Sequence, residues 1–152
     1  MDQLSQHFSY IEATHSNTAD AKGIDNTPSN DILANMEAAA AQLEAVRDYL
    51  TQPINVDSWY RCPALNAAVG GVGHSAHMDG WAIDFTCEAF GDPLAIVEFL
   101  IKTGVKFDQL IVEGSHPGHT GWVHVSFAPA MRQMTLTAHF DEVGNATYTQ
   151  GA

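Results

Sequence analysis

The segment His74-Ser75-Ala76-His77-Met78-Asp79-Gly80-Trp81-Ala82-Ile83-Asp84 constrains this chain more than any other. It holds a histidine and an aspartate seven positions apart around a glycine. Forty residues beyond the aspartate, Trp122-Val123-His124-Val125-Ser126-Phe127 supplies a second histidine in a strand-like run. Gly80 permits a tight bend before the chain enters a strand. Side chains alternate along a strand, so Asp84 shares a face with the small Ala82, while Trp81, Ile83 and Phe85 point the other way. His124 alternates with Val123 and Val125 and shares a face with Trp122 and Ser126. Either histidine alone would be read as a satisfied, half-buried residue. Together, two imidazoles and one carboxylate form a three-ligand set that leaves a fourth position on a zinc ion open for water, which distinguishes a catalytic zinc from a structural one.

The rest of the chain frames these segments. Residues 1–28 show no clear period; Phe8, Tyr10 and Ile11 are expected to pin this arm to a core, and Gly23 and Asp25-Asn26-Thr27-Pro28 to form turns. From Ser29 to about Thr51, apolar residues recur at three- and four-residue steps behind N-cap candidates, which predicts a long core helix stopped by Pro53. Strands are expected over 54–58, 81–86, 107–113 and 121–127. Short helices are expected over 64–69 and 94–102, each opened by a proline and closed by glycine. Residues 114–120 form a loop, and 133–140 alternates as an edge strand would. Helices interleaved with strands in this way predict an α+β fold, a small and mainly antiparallel sheet with helices packed on one side.

With 152 residues, no internal repeat and no linker, the chain is expected to be one domain, residues 1–152, with its core at about 29–140. Its formal net charge of −12, from 18 acidic and 6 basic residues, argues against nucleic acid as a partner, because phosphate neutralisation needs clustered Lys and Arg. No apolar run is long enough for membrane insertion. No basic region followed by an apolar stretch opens the chain, so no secretory signal is expected. Cys62 and Cys87 are too few for a disulfide scaffold and read as free thiols, with a ligand role for Cys87 as a weak alternative.

Ser75-x-His77-x-x-Gly80-x-Ala82-x-Asp84 resembles the Ser-x-His-x-x-Gly-x-Ala-x-Asp signature of the M15 zinc peptidases, which are peptidoglycan D,D-carboxypeptidases and cell-wall endopeptidases, phage endolysins among them. Trp122-Val123-His124 resembles the family's third-ligand strand. Ser58-Trp59-Tyr60-Arg61 resembles its Ser-Gly-Tyr-Arg element, with Trp59 in place of glycine. The run from Arg61 to Gly71 and the stretch from Gly23 to Pro28 are similar to the phage-associated branch. The resemblance covers roughly residues 5 to 128. It implies a hedgehog or D-Ala-D-Ala peptidase-like fold, Zn2+ held by His77, Asp84 and His124, and a bacterial peptidoglycan peptide as substrate. It also implies a phage lysis or virion enzyme, made in the host cytoplasm and acting at the bacterial cell wall.

The general base is where the chain departs from the family. Many members carry a glutamate three residues before the last histidine, and here that position is Gly121. Glu113 is the nearest glutamate. If it pairs with Trp122 across a hairpin, it lies on the His124 face within reach of the ligand; a slip of one residue would put it on the opposite face. His116 and His119, in the loop, compete for the role. Arg61 is implied to grip a substrate carboxylate or to stabilise an oxyanion, for which its planar fork is suited; an ordinary ion pair is the alternative. Ser75 is expected to bond the substrate or orient a ligand, unless it only caps the turn. Asp79 is a candidate to support His77. The alternative to an enzyme is a zinc-binding phage structural or assembly module with a degenerate, non-catalytic site.

Overall fold

The aperiodic N-terminal arm holds two short helices, α1 (Tyr10–Thr14) and α2 (Asn17–Lys22), in the computed structural model, which describes the backbone of residues 2–140 and 146–150 and the side chains of residues 2–136. Five and six residues are too few to show a period, but their caps are visible in sequence. Ser9 and Glu12 form a capping box, and the Ser16 hydroxyl accepts from the Ala19 amide. Phe8 is buried and meets Trp59 edge-on at 6.2 Å. Ile11, expected to help pin the arm, is instead 73% exposed, because α1 turns that face to solvent.

The long helix α3 (Asn30–Leu50) starts at the Ser29 cap as expected. Thr51 ends it in the left-handed conformation, with φ 57°. Its buried face is Met36, Ala39, Ala40, Leu43, Val46 and Leu50. Each large side chain of this stripe contributes about 1.5–3 kcal/mol by burial, so packing rather than propensity fixes the helix. Next come β1 (Asn55–Ser58), α4 (Pro63–Ala68), β2 (Ala82–Thr86) and α5 (Pro93–Thr103). Asp92 caps α5 by accepting from the Ala95 amide at 2.9 Å. The chain then forms β3 (Gln109–Ser115), β4 (Trp122–Ser126), β5 (Met134–Phe140) and β6 (Ala146–Gln150). Among the described residues, no helix is long and apolar enough to cross a membrane.

The six strands form one sheet in the order β1-β2-β4-β3-β5-β6, antiparallel except for the parallel pair β3–β5. Mixed helices and a mainly antiparallel sheet make the α+β fold that the sequence predicts. The stretch expected to be an edge strand is not one: β5 pairs with β3 on one side and with β6 on the other. Alternation reports which face of a strand is buried and is silent on whether both of its edges are paired. Ile83 and Phe85 of β2, Leu110 and Val112 of β3, and Val123 and Val125 of β4 share one core with the buried faces of α3 and α5. That leaves the opposite face of β2, β3 and β4 to carry Asp84, Glu113, Trp122 and His124.

Candidate metal centre

Strand pairing alone assembles most of the site. Asp84 of β2 is the direct cross-strand partner of His124 of β4. Their side chains meet, with His124 Nδ1 2.8 Å from Asp84 Oδ1. On the other side of β4, Glu113 of β3 pairs with Trp122, the register on which the expected position of the base depended. Glu113 Oε1 lies 3.2 Å from His124 Nδ1.

His77 arrives from the turn between α4 and β2. The backbone amide of His77 donates to Ser75 Oγ at 3.2 Å, and its carbonyl accepts from the Arg61 amide at 3.1 Å. Its ring Nδ1 lies 2.6 Å from the Trp59 carbonyl, an acceptor that fixes the proton on Nδ1 and the lone pair on Nε2. That Nε2 is buried without a hydrogen-bond donor and faces Asp84 Oδ1 at 3.2 Å. Two acceptors turned toward each other in a buried place are what a cation between them would satisfy. His77, Asp84 and His124 each offer a ligand atom within 4.8 Å of the others, so the three residues fit a metal ion.

The electrostatics agree with that arrangement. Burial alone would raise the Asp84 carboxyl, yet the imidazoles of His77 and His124 hold it well below the usual carboxylate range. Burial pushes His77 down and favours its neutral form, against the pull of Asp84. Burial also pulls on His124, but the hydrogen bond and charge of Asp84, with Glu113 behind it, leave that imidazole raised. Glu113 is raised by burial, which His124 partly opposes and Asp84 reinforces. A carboxylate raised in this way is a better proton acceptor near neutral pH.

Gly121 shows why no side chain can stand in the usual position for the base. Its φ is 79°, and a Cβ built there would collide with the Glu113 carbonyl oxygen and come within 2.8 Å of Gly114 and Ser115 backbone atoms. The hairpin closes too tightly at that point for anything but glycine, and the strand beside it carries Glu113. His116 and His119 are not members of the cluster: they bridge each other at the hairpin tip, with ring centroids 4.4 Å apart. Cys87 belongs to the hydrophobic core and takes no part in the cluster. Asp79 is exposed, and its contribution is a backbone carbonyl that accepts from Asn35 at 3.0 Å.

A cleft of about 390 Å³ opens beside the cluster, lined in part by Arg61, Leu65, Val69, Asp84 and Trp122. Among the described residues, Arg61 is the only lysine or arginine on its walls. Ser75 does not line this cleft but lies buried beneath His77, where it holds the turn. Two supporting residues escaped the sequence reading. Trp59 is fully buried and donates from Nε1 to the Gly80 carbonyl at 2.9 Å, so side chain and backbone of one residue clasp both ends of the His77 turn. Asn26 donates to the Thr14 and Tyr60 carbonyls and accepts from the Cys62 amide, which fastens the arm to the strip that bears Arg61. The substitution of Trp59 for glycine in the family motif was the available signal for the first; nothing marked the second beyond its place in a turn-rich stretch.

None of the curated proteins compared matches this chain. The Peptidase M15 family model matches residues 6–126, a span that holds the three clustered residues, Arg61 and Glu113 and covers most of the chain. The chain therefore belongs to the Peptidase M15 family.

Proposed function

We propose that the protein is a zinc-dependent peptidase that cleaves the peptides of bacterial peptidoglycan. The observation that carries this reading is the convergence of His77, Asp84 and His124 on one point, with Glu113 3.2 Å from His124. These three residues would hold a zinc ion, which would supply Lewis-acid polarisation of a water molecule and of the scissile carbonyl. Glu113 takes the proton from the attacking water and hands it to the leaving nitrogen as the C–N bond breaks. Arg61 meets the developing oxyanion or the carboxylate of the peptide. Trp59 and Ser75 hold His77 in its ligand orientation. Glu113, set on the ligand face, supports an enzyme over a degenerate zinc-binding module.

The resemblance of the Gly23–Pro28 and Arg61–Gly71 stretches to phage-associated members supports a lysis or virion role, in which a protein made in the host cytoplasm acts at the bacterial wall. Zymography on purified peptidoglycan tests the activity. Clearing should be lost with a chelator and return with zinc. The Glu113→Gln variant should bind about one zinc per chain yet clear nothing. Clearing by that variant at the parent rate would overturn the base assignment; zinc binding by the parent without clearing would favour the non-catalytic module. Mass spectrometry of the released muropeptides then separates carboxypeptidase from endopeptidase action.

A further inference from the structure

Asp57 is a carboxylate on the wall of the cleft that the proposed chemistry does not use. It sits in β1, where the pairing with β2 slips: Val56 faces Phe85, but Ser58 rather than Asp57 stands opposite Asp84. A regular register would set two carboxylates directly across from each other, a destabilising pair. The bulge removes that conflict while leaving both acids on the cleft. Among the described residues Asp57 has no cationic partner, and one hydrogen bond, from Asn55 Nδ2 to its Oδ1 at 2.9 Å, leaves the other oxygen free. Among the described residues, the cleft's own cation, Arg61, forms no ion pair with Asp57. Asp57 is itself exposed and lines the cleft, so its free oxygen is open to a ligand.

We propose that Asp57 is a specificity-determining residue that receives the side-chain ammonium of a diamino acid in the substrate peptide. The inference rests on the peptidase reading. β1 and β4 are two strand spacings apart, about 10 Å, so Asp57 lies beside the line of the clustered residues. A peptide main chain lying over His124 would direct an amine on a flexible alkyl stem toward Asp57. The bound amine would meet the free oxygen of Asp57 through a charge-assisted hydrogen bond.

Isothermal calorimetry tests this with the zinc-loaded Glu113→Gln protein, which reads binding without turnover. The probes are two Nα-acetylated, lysine-containing pentapeptides of the stem-peptide type that differ only in acetylation of the lysine amine. The free amine should bind roughly fivefold to tenfold more tightly than the acetylated form. With Asp57→Asn added, both peptides should bind with the weaker affinity. Equal affinity of the two peptides before that change, or an unchanged preference after it, overturns the proposal. Amine-dependent binding with no cleavage by the parent enzyme would uphold Asp57 while refuting peptidase action, so the two failures are distinguishable.

Discussion

Restoring the glutamate that related peptidases carry three residues before the last histidine should damage this protein. In Gly121→Glu the new side chain must adopt φ near 79°, and its Cβ would overlap the Glu113 carbonyl oxygen and crowd Gly114 and Ser115. The left-handed conformation costs a residue with a side chain about 1–2 kcal/mol. Relieving the backbone overlap adds about 1–3 kcal/mol, as overpacking does elsewhere. The sum, about 2–5 kcal/mol, is a large share of the roughly 5–15 kcal/mol that holds a domain of this size together. With a urea m-value of about 1–3 kcal/mol/M, the unfolding midpoint should fall by about 1 M or more. The matched control is Gly118→Ala at the hairpin tip, where φ is 86° but nothing lies within 4 Å of a built Cβ. That change should show only the conformational part, about 1–2 kcal/mol. Gly121→Glu should also lose wall hydrolysis, because the overlap displaces the strand that carries Glu113. Equal midpoints for the two variants, or an active Gly121→Glu protein, would refute the argument.

Two further perturbations probe the frame and the clasp. The buried Asp108 carboxylate accepts from Arg132 Nε at 2.9 Å and from Nη2 at 2.8 Å, and these bonds hold its pKa down against burial. A depressed carboxylate stabilises the fold above its unfolded pKa near ~3.9, and that stability is lost as pH falls through the lower folded value. Arg132→Met should therefore destabilise by about 1–2 kcal/mol at pH 7, a modest figure because the arginine side chain is half exposed. The gap to the parent should narrow below pH ~4 in urea titrations; a gap that ignores pH would exclude the pair as its source. Trp59→Phe keeps an aromatic, though smaller, side chain but leaves the Gly80 carbonyl without its donor. Zinc affinity by chelator competition should drop about tenfold, as for other outer supports of a metal ligand, and an unchanged affinity would remove Trp59 from the site.

Much of this architecture was legible because its determinants are local. The period of α3, its Ser29 cap and the Asp92-Pro93 start of α5 are written in consecutive residues, and both helices lie where those signals put them. The His77–Asp84–His124 cluster was legible for a similar reason: alternation on β2 and β4 assigns Asp84 and His124 to faces before any pairing is known. Glu113 needed one further fact, the hairpin register, and Gly121 concealed it by occupying the familiar position of the base. Alternation could not reveal that β5 has neighbours on both sides, since a parallel partner such as β3 leaves no turn signal between the paired strands. Asp57 was illegible because a bulge depends on which strand lies alongside. Trp59 and Asn26 act through hydrogen bonds to distant backbone groups, which no spacing rule encodes.

The parallel partner of β3 has a consequence for how the protein behaves among its copies. Without β5, the strand that carries Glu113 would end the sheet and offer a row of unpaired amides and carbonyls to any passing chain. The β5–β6 hairpin occupies that row, and the Asp108–Arg132 bond fastens the chain just before β5 begins. It follows the last residue of the family match, and among the described residues it adds no member to the His77–Asp84–His124 cluster. It moves that edge of the sheet outward to β6, away from the strand that carries Glu113.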